Sequence, residues 1–125
     1  IGEVLALELM LPAPGQGALA IQCRADQRLL ELLAPIDAAA TRCAVEAERA
    51  FLAGLGGGCS VPVAAYGQVQ DGLLAMQGRV TAANGSQQVD VQLEGDPGAA
   101  QALGRRLAHL ARNQGAASLL GVNEP

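Results

Sequence analysis

A chain of 125 residues is long enough for one domain with a hydrophobic core and too short for two domains of ordinary size. Half of its residues are apolar, but it has one Phe, one Tyr and no Trp, so the core must be built mainly from Leu, Val, Ile and Ala. The net charge is −4, and the basic residues, all arginines, are scattered among acids. This pattern excludes a basic stripe of the kind that binds nucleic acid.

The apolar runs are too short for a membrane span, because Gly, Pro, Gln or Glu interrupts each of them. No basic segment followed by an apolar one opens the chain, as a signal peptide would. We therefore expect a soluble, cytoplasmic protein that does not contact a membrane. The chain starts at Ile1 with an apolar segment typical of the middle of a protein, so we expect it to be a piece of a longer one.

The cysteines and the histidine do not predict a metal site. Cys23, Cys43 and Cys59 lie far apart without a CxxC spacing, and their odd number forbids a complete set of disulfides within the chain. Cys23 and Cys43 fall in strand-like and helical patterns, so we interpret them as small buried or half-buried apolar residues. His109 has no acid placed to orient it and is predicted to be a structural or surface residue.

The first 36 residues have the pattern of a connector. Residues 17–23, "GALAIQC", follow prolines and glycines and predict a buried strand or the approach to one. The preceding "GQGALA" has the spacing of a degenerate dinucleotide fingerprint, but it does not open a helix, so we expect its glycines to form a tight turn. A short helix follows, capped by Asp26 and stopped by Pro35.

The strongest predicted helix begins after Asp37, which could cap it, and ends at the glycines 56–58 through a left-handed turn. Its apolar stripe contains one acidic residue, Glu48. Two interpretations remain open: a solvated glutamate at the edge of the stripe, or a buried carboxylate paired with a cation.

Three antiparallel strands are predicted after residue 60, because the apolar period changes to two. Asp71-Gly72 and Asn84-Gly85 mark the two hairpins, the second as a type I′ turn. A last helix starts with Asp96 as its cap and Pro97 in its first turn, and it ends at Gly115. The fold class is therefore α+β, with a three-stranded antiparallel sheet and helices packed on one face.

Cys59 stands directly after three glycines and directly before the first strand, in "AGLGGGCSVPVAAYG". The glycines leave space for a bulky adduct on the thiol and let the backbone turn. Two features oppose an activated thiolate: the preceding helix presents its negative end, and no basic residue is adjacent.

Three stretches, "LPAPGQGALAIQCR", "AERAFLAGLGGGCSVPVAAYG" and "LARNQGAASLLG", together resemble the C-terminal part of the porphobilinogen deaminase (hydroxymethylbilane synthase) family. The resemblance implies a transferase of porphyrin and haem biosynthesis that condenses four porphobilinogen molecules into the linear tetrapyrrole hydroxymethylbilane, with loss of ammonia. It implies that Cys59 carries a dipyrromethane cofactor through a thioether. A very reactive electrophile formed from the substrate would explain why this thiol has no local activation.

The same resemblance implies further cofactor-binding residues and a division of the chain. Contacts with dipyrromethane are expected from the turn and from the cysteine loop, at Gln16, Gly17, Ala18, Gly57, Gly58 and Ser60. Residues 1–34 correspond to the end of the family's second domain and its crossing segment, and residues 35–125 to its third, cofactor-carrying domain.

The family's aspartate for deamination and its carboxylate-binding arginines belong to domains that precede this part, so no catalytic residue is expected in this chain. Its expected partners are those missing N-terminal domains, with Glu48 as an interdomain contact to an arginine, and porphobilinogen only in the full enzyme. The isolated chain is predicted to be inactive. A different class of function stays open: a small α+β binding or interaction module without covalent chemistry.

Overall fold

The computed structural model describes residues 1–56 and 62–121, and these form an α+β fold. Strands β1, β2 and β3 pair antiparallel in the order β1-β2-β3. The main helices α2 and α3 pack on one face of this sheet, which confirms the predicted architecture. The elements are α1 (Gln27–Leu33), α2 (Ala39–Gly54), β1 (Val63–Gln70), β2 (Leu73–Thr81), β3 (Gln88–Gly95), α3 (Ala100–Asn113) and α4 (Ala116–Leu119), with 3₁₀ turns at Ala34–Ile36 and Pro97–Ala99.

The first hairpin has the tight turn that the sequence predicts. Gln70 lies opposite Leu73, and the two residues between them, Asp71 and Gly72, have positive φ angles of 51° and 77°. Two positive φ angles define the primed turn whose twist matches that of the strands.

The second hairpin differs from the type I′ turn predicted at Asn84-Gly85. Only Gly85 has a positive φ there, 73°, and the loop is longer, closed by a hydrogen bond from the Ala82 N–H to the Gln87 carbonyl. The Asn84 side chain explains the difference, because its Oδ1 accepts hydrogen bonds from the backbone N–H and the hydroxyl of Ser86. An asparagine that bonds its own loop in this way stabilises a local turn without entering the left-handed region.

The core lies between α2, α3 and the inner face of the sheet. The fully buried large side chains are those of Phe51, Leu74, Met76, Val80 and Leu107. The Phe51 ring lies directly over Gly78 of β2, where a Cβ would come within 2.5 Å of the ring carbon Cζ. One aromatic ring therefore occupies the space that a missing side chain on the central strand leaves open.

Helices α2 and α3 cross closely because small residues face each other at the crossing. A Cβ on Gly104 of α3 would collide with the backbone carbonyl of Ala47 and would come within 2.9 Å of the Ala50 Cβ. On the same crossing, a Cβ on Gly54 would come within 2.6 Å of the Ala108 Cβ. The backbones thus pack at a distance that larger side chains would prevent.

The helix starts are capped partly as predicted. The Asp26 side chain accepts hydrogen bonds from the N–H groups of Arg28 and Leu29 and caps α1, which confirms that prediction. The predicted cap of α2 by Asp37 is wrong, because Ala38 occupies the N-cap position. The Asp37 carboxylate instead pairs with the Arg42 guanidinium at 3.1 Å, a charge-assisted interaction that competes with capping.

The strand predicted at residues 17–23 does not form in the described structure. The segment has no assigned strand, and Leu19 and Ile21 are 97% and 62% exposed. An apolar sequence alone does not make a strand, which needs a partner for its backbone hydrogen bonds. In the same way, α1 contributes no buried residue.

The helices formed by residues 1–56 and 62–121 include none that is long and apolar enough to cross a membrane.

The crossing of α2 and α3 yields a stability prediction. Replacing Gly104 with Ala gains about 1 kcal/mol in helix propensity, but its Cβ must displace the Ala47 carbonyl in a packed interface. We expect the clash to prevail and the Gly104→Ala variant to lose about 2 kcal/mol of unfolding free energy in urea denaturation. Gly2→Ala, placed where a Cβ has no neighbour within 4 Å, should be neutral. A Gly104→Ala variant as stable as the parent would show that the helices can separate without cost.

Candidate functional site

The connection from α2 to β1 contains the predicted cofactor cysteine. Gly57, Gly58, Cys59 and Ser60 lie outside the described residues, so their predicted cofactor contacts remain predictions. On the helix side, Leu55 is 2% exposed and Gly56 has a φ of 71°, which confirms a left-handed turn after α2. The connection therefore leaves a helix end that is firmly packed in the core.

The turn of residues 13–18 lies beside α2 and β1. Its geometry requires glycine at two positions, since Gly15 and Gly17 have φ angles of 76° and 83°. The turn is closed by a hydrogen bond from the Gln16 N–H to the Ala13 carbonyl, and the Gln16 side-chain oxygen accepts one from the Ala13 N–H. The expected tight turn at the "GQG" sequence is thus confirmed.

Glu48 joins this turn to the sheet. Its Oε2 accepts a hydrogen bond of 2.6 Å from the Gly15 N–H, and its Oε1 accepts one of 2.7 Å from the Gly67 N–H in β1. The residue is only 6% exposed, so the interpretation as a solvated edge residue is wrong. The partners that the structure gives this buried carboxylate are backbone amides. The pairing with an arginine of the missing domains stays a prediction.

Burial raises the pKa of the Glu48 carboxyl above its ordinary value, because removal from water disfavours the charged form. The hydrogen bonds from the Gly15 and Gly67 N–H groups act in the opposite direction and lower the pKa, since they stabilise the carboxylate. The loss of hydration is the larger effect. Glu48 is therefore held in place at a net electrostatic cost when it is ionised.

The contact with Gly67 lies on the edge of β1 that faces away from β2. Two residues earlier on the same edge, the Ala65 N–H donates a hydrogen bond of 3.0 Å to the Pro12 carbonyl. N–H groups two residues apart in a strand point in the same direction, so Pro12 and Glu48 accept from successive donors. The carboxylate takes the place that the next backbone carbonyl of a neighbouring strand would occupy.

A cleft of about 410 Å³ opens where the turn, α2 and β1 meet. It brings together three of the sequence-predicted cofactor residues, Gln16, Gly17 and Ala18, with Glu48. The sequence pattern identifies these four residues, but not the residues of β1 that complete the wall of the cleft, among them Tyr66 and Gly67. No local signal could have found them, because Glu48 and its two partners are separated by 33 and 19 residues.

The remaining candidate residues occupy other places. His109 is exposed on α3, where it lines a shallow depression together with Arg105 and Arg106, so the prediction of a surface histidine is confirmed. Cys23 and Cys43 are half-buried free thiols, and Cys43 packs against the core as predicted.

A comparison with protein-family models matches residues 42–113 to the model described as "Porphobilinogen deaminase, C-terminal domain". The matched range covers α2 from Arg42 onward, the cysteine connection, the sheet and α3.

Individual relatives extend the similarity to nearly the whole chain. Porphobilinogen deaminase from Nocardia farcinica is 45% identical to it over 96% of the chain, and the protein of the same name from Syntrophotalea carbinolica is 44% identical over 98%. That from Xanthomonas campestris is 46% identical over 88%. The chain spans 38%, 39% and 36% of the length of these three relatives.

The raised pKa of Glu48 predicts a pH-dependent stability. Between its ordinary value of 4.5 and its value in the folded state, the folded chain binds the proton more tightly than the unfolded one. The stabilisation from this group is therefore complete below pH 4.5 and is lost as the pH rises through the raised pKa. Urea unfolding should show that the parent loses stability relative to Glu48→Gln across this interval.

Glu46→Gln serves as the control for this measurement, since Glu46 lies on the exposed face of the same helix, 4.0 Å from Arg42. Its stability should follow that of the parent more closely than that of Glu48→Gln. A stability difference between the parent and Glu48→Gln that does not change with pH would contradict the raised pKa.

Proposed function

We propose that this chain is the cofactor-carrying C-terminal part of a hydroxymethylbilane synthase, because it belongs to the porphobilinogen deaminase family. The whole enzyme would be a transferase that condenses four porphobilinogen molecules into hydroxymethylbilane with release of ammonia, as a step of tetrapyrrole synthesis. The observation that carries the proposal is the position of "GGCSVP" at the connection from α2 to β1, inside the range that the family model matches.

Cys59 would hold the dipyrromethane cofactor covalently through a thioether. When bound, this group supplies the primer onto which the growing pyrrole chain is added. Three glycines before Cys59 give the connection the backbone freedom to place such a bulky adduct. The thiol itself needs only to be accessible, because a strongly reactive electrophile does not demand a strongly activated nucleophile.

Gln16, Gly17 and Ala18 would contribute backbone contacts to this group. Two features of the structure fit that role: the three residues line an open cleft, and the Cβ position of Gly17 has no neighbouring atom within 4 Å. A backbone without side chains in front of it can approach a flat aromatic ring system closely. Gly57, Gly58 and Ser60 would complete the surroundings of the cofactor from the cysteine side.

The division into residues 1–34 and 35–125 is part of the same proposal. It is supported by the exposure of large apolar side chains in the first segment, where Val4, Leu9 and Leu19 are 85%, 72% and 97% exposed. Exposed apolar side chains in such a number are typical of a surface that packs against another domain. The missing N-terminal domains of the same enzyme are the proposed partner.

The isolated chain should be inactive, because a substrate with acetate and propionate groups calls for a cluster of forked cations. The arginines of this chain are dispersed instead: Arg42 pairs with Asp37, and Arg79 pairs with Asp90 across two strands. We expect no consumption of porphobilinogen by the purified 125-residue chain in a colorimetric assay. Measurable turnover would show that the chain contains catalytic groups of its own.

The covalent attachment is tested by mass spectrometry of the complete enzyme that contains this chain, produced in cells that synthesise porphobilinogen. A dipyrrole-sized mass increment should appear on the peptide that includes Cys59. Cys59→Ser should abolish it, whereas Cys23→Ser and Cys43→Ser should retain it. An unmodified Cys59 in an otherwise folded enzyme would favour the alternative, a binding or interaction module without covalent chemistry.

A further inference from the structure

We propose that Glu48 is a positioning residue: its carboxylate ties the turn of residues 13–18 to β1 and to α2, and so sets the place of Gln16, Gly17 and Ala18 relative to the helix that leads to Cys59. This inference rests on the proposed function, in which the turn and Cys59 hold the same cofactor. The Gly15 contact crosses the proposed boundary after residue 34, so Glu48 joins the two parts of this chain; its predicted pairing with an arginine of the missing domains is a separate contact.

The geometry requires a carboxylate. Two backbone N–H groups, those of Gly15 and Gly67, point at Glu48 from segments that are far apart in sequence, at 2.6 and 2.7 Å. Each needs an acceptor, and the two oxygens of one ionised carboxyl group provide both. Bonds from an N–H to a charged oxygen are stronger than those between neutral groups, so they can hold a turn that has little packing of its own.

Without the contacts of Glu48, the turn would not keep its position along the edge of β1. The upstream chain pairs with the edge of β1 at Pro12, whose carbonyl accepts from Ala65. It cannot continue along this edge, because Pro14 has no N–H to donate and Gly15 turns away with a φ of 76°. Glu48 replaces the lost pairing, since it satisfies the Gly67 N–H and holds the Gly15 N–H at the same time.

Helix α2 links the position of the turn to that of the connection that contains Cys59. Ala44, Ala47 and Phe51 are buried along the same helix, and the backbone of Ala47 is packed against Gly104 of α3. The helix therefore has no freedom to slide or rotate. Its rise of about 1.5 Å per residue places Glu48 about 9 Å from Gly54, the last helical residue before the connection. One rigid element thus fixes the spacing between the turn and the start of the segment that contains Cys59.

Glu48→Gln separates the role of the carboxylate from that of the side-chain volume. Glutamine has almost the same shape but offers one accepting oxygen, and its NH₂ group would face a backbone N–H donor. Glu46→Gln makes the same chemical change on the exposed face of the helix and is the matched control.

The first measurement is amide hydrogen exchange in the 125-residue chain. In Glu48→Gln we expect the Gly15 N–H to exchange at least tenfold faster than in the parent, while the Phe51 N–H in the middle of α2 keeps its protection. Unchanged exchange at Gly15 would overturn the proposal. Loss of protection at Phe51 as well would also overturn it, because Glu48 would then stabilise the whole domain rather than the turn.

The second measurement compares the complete enzyme with its Glu48→Gln and Glu46→Gln variants. Misplacing a contact to the permanently attached cofactor should lower kcat roughly tenfold and leave KM within about twofold, because small displacements act on the reacting geometry. Glu46→Gln should match the parent in both constants. A normal kcat for Glu48→Gln in an enzyme whose Cys59 bears the adduct would overturn this inference alone. A parent enzyme without the adduct would overturn the proposed function and the inference with it.

Discussion

The close approach of α2 to both the sheet and α3 is the constraint on which the rest of this structure depends. It is possible only because glycines stand at the contacts: Gly78 leaves room for the Phe51 ring, and Gly104 lets α3 meet the backbone of Ala47. A core with a single phenylalanine and no tryptophan has few large side chains with which to fill space, so it reaches native packing density by bringing backbones together. The second half of α2, which leads to Cys59, is thereby held in place.

A helix buried this deeply would be expected to present only apolar groups to its neighbours, and Glu48 breaks that rule. Burying its carboxylate costs hydration, and the hydrogen bonds from Gly15 and Gly67 return only part of that cost, as the direction of the pKa shift shows. An apolar residue of similar volume would avoid this cost but could not bind two N–H donors. Glu48 therefore lowers the stability of the fold but fixes a contact between two segments, which is typical of residues at functional sites.

Much of the fold could be predicted from the sequence, because its signals are local. Alternation in the strands, the Asp71-Gly72 turn, the Asp26 cap and the glycine after α2 each act over a few residues, and the structure confirms them. The wrong predictions have two causes. Asp37 and Asn84 are polar residues with competing local partners, and residues 17–23 have strand composition without a neighbouring strand. Glu48 stands out in the sequence as an acidic residue within the apolar stripe of α2, but its hydrogen-bond partners depend on the tertiary fold.

The same architecture bears on the chemistry proposed for Cys59. The thiol follows the carbonyl end of α2, where the helix dipole disfavours a thiolate, and the last turn of that helix contains no basic residue. One cation does lie at this helix end, because the Arg112 guanidinium donates a hydrogen bond of 3.3 Å to the Gly54 carbonyl. A protease-type cysteine must attack an unreactive amide and therefore depends on an activated thiolate. A thiol that is modified once, by an electrophile that is reactive in itself, needs only access and the right position. The role proposed for Cys59, a permanent anchor, is of this second kind and does not depend on a lowered thiol pKa.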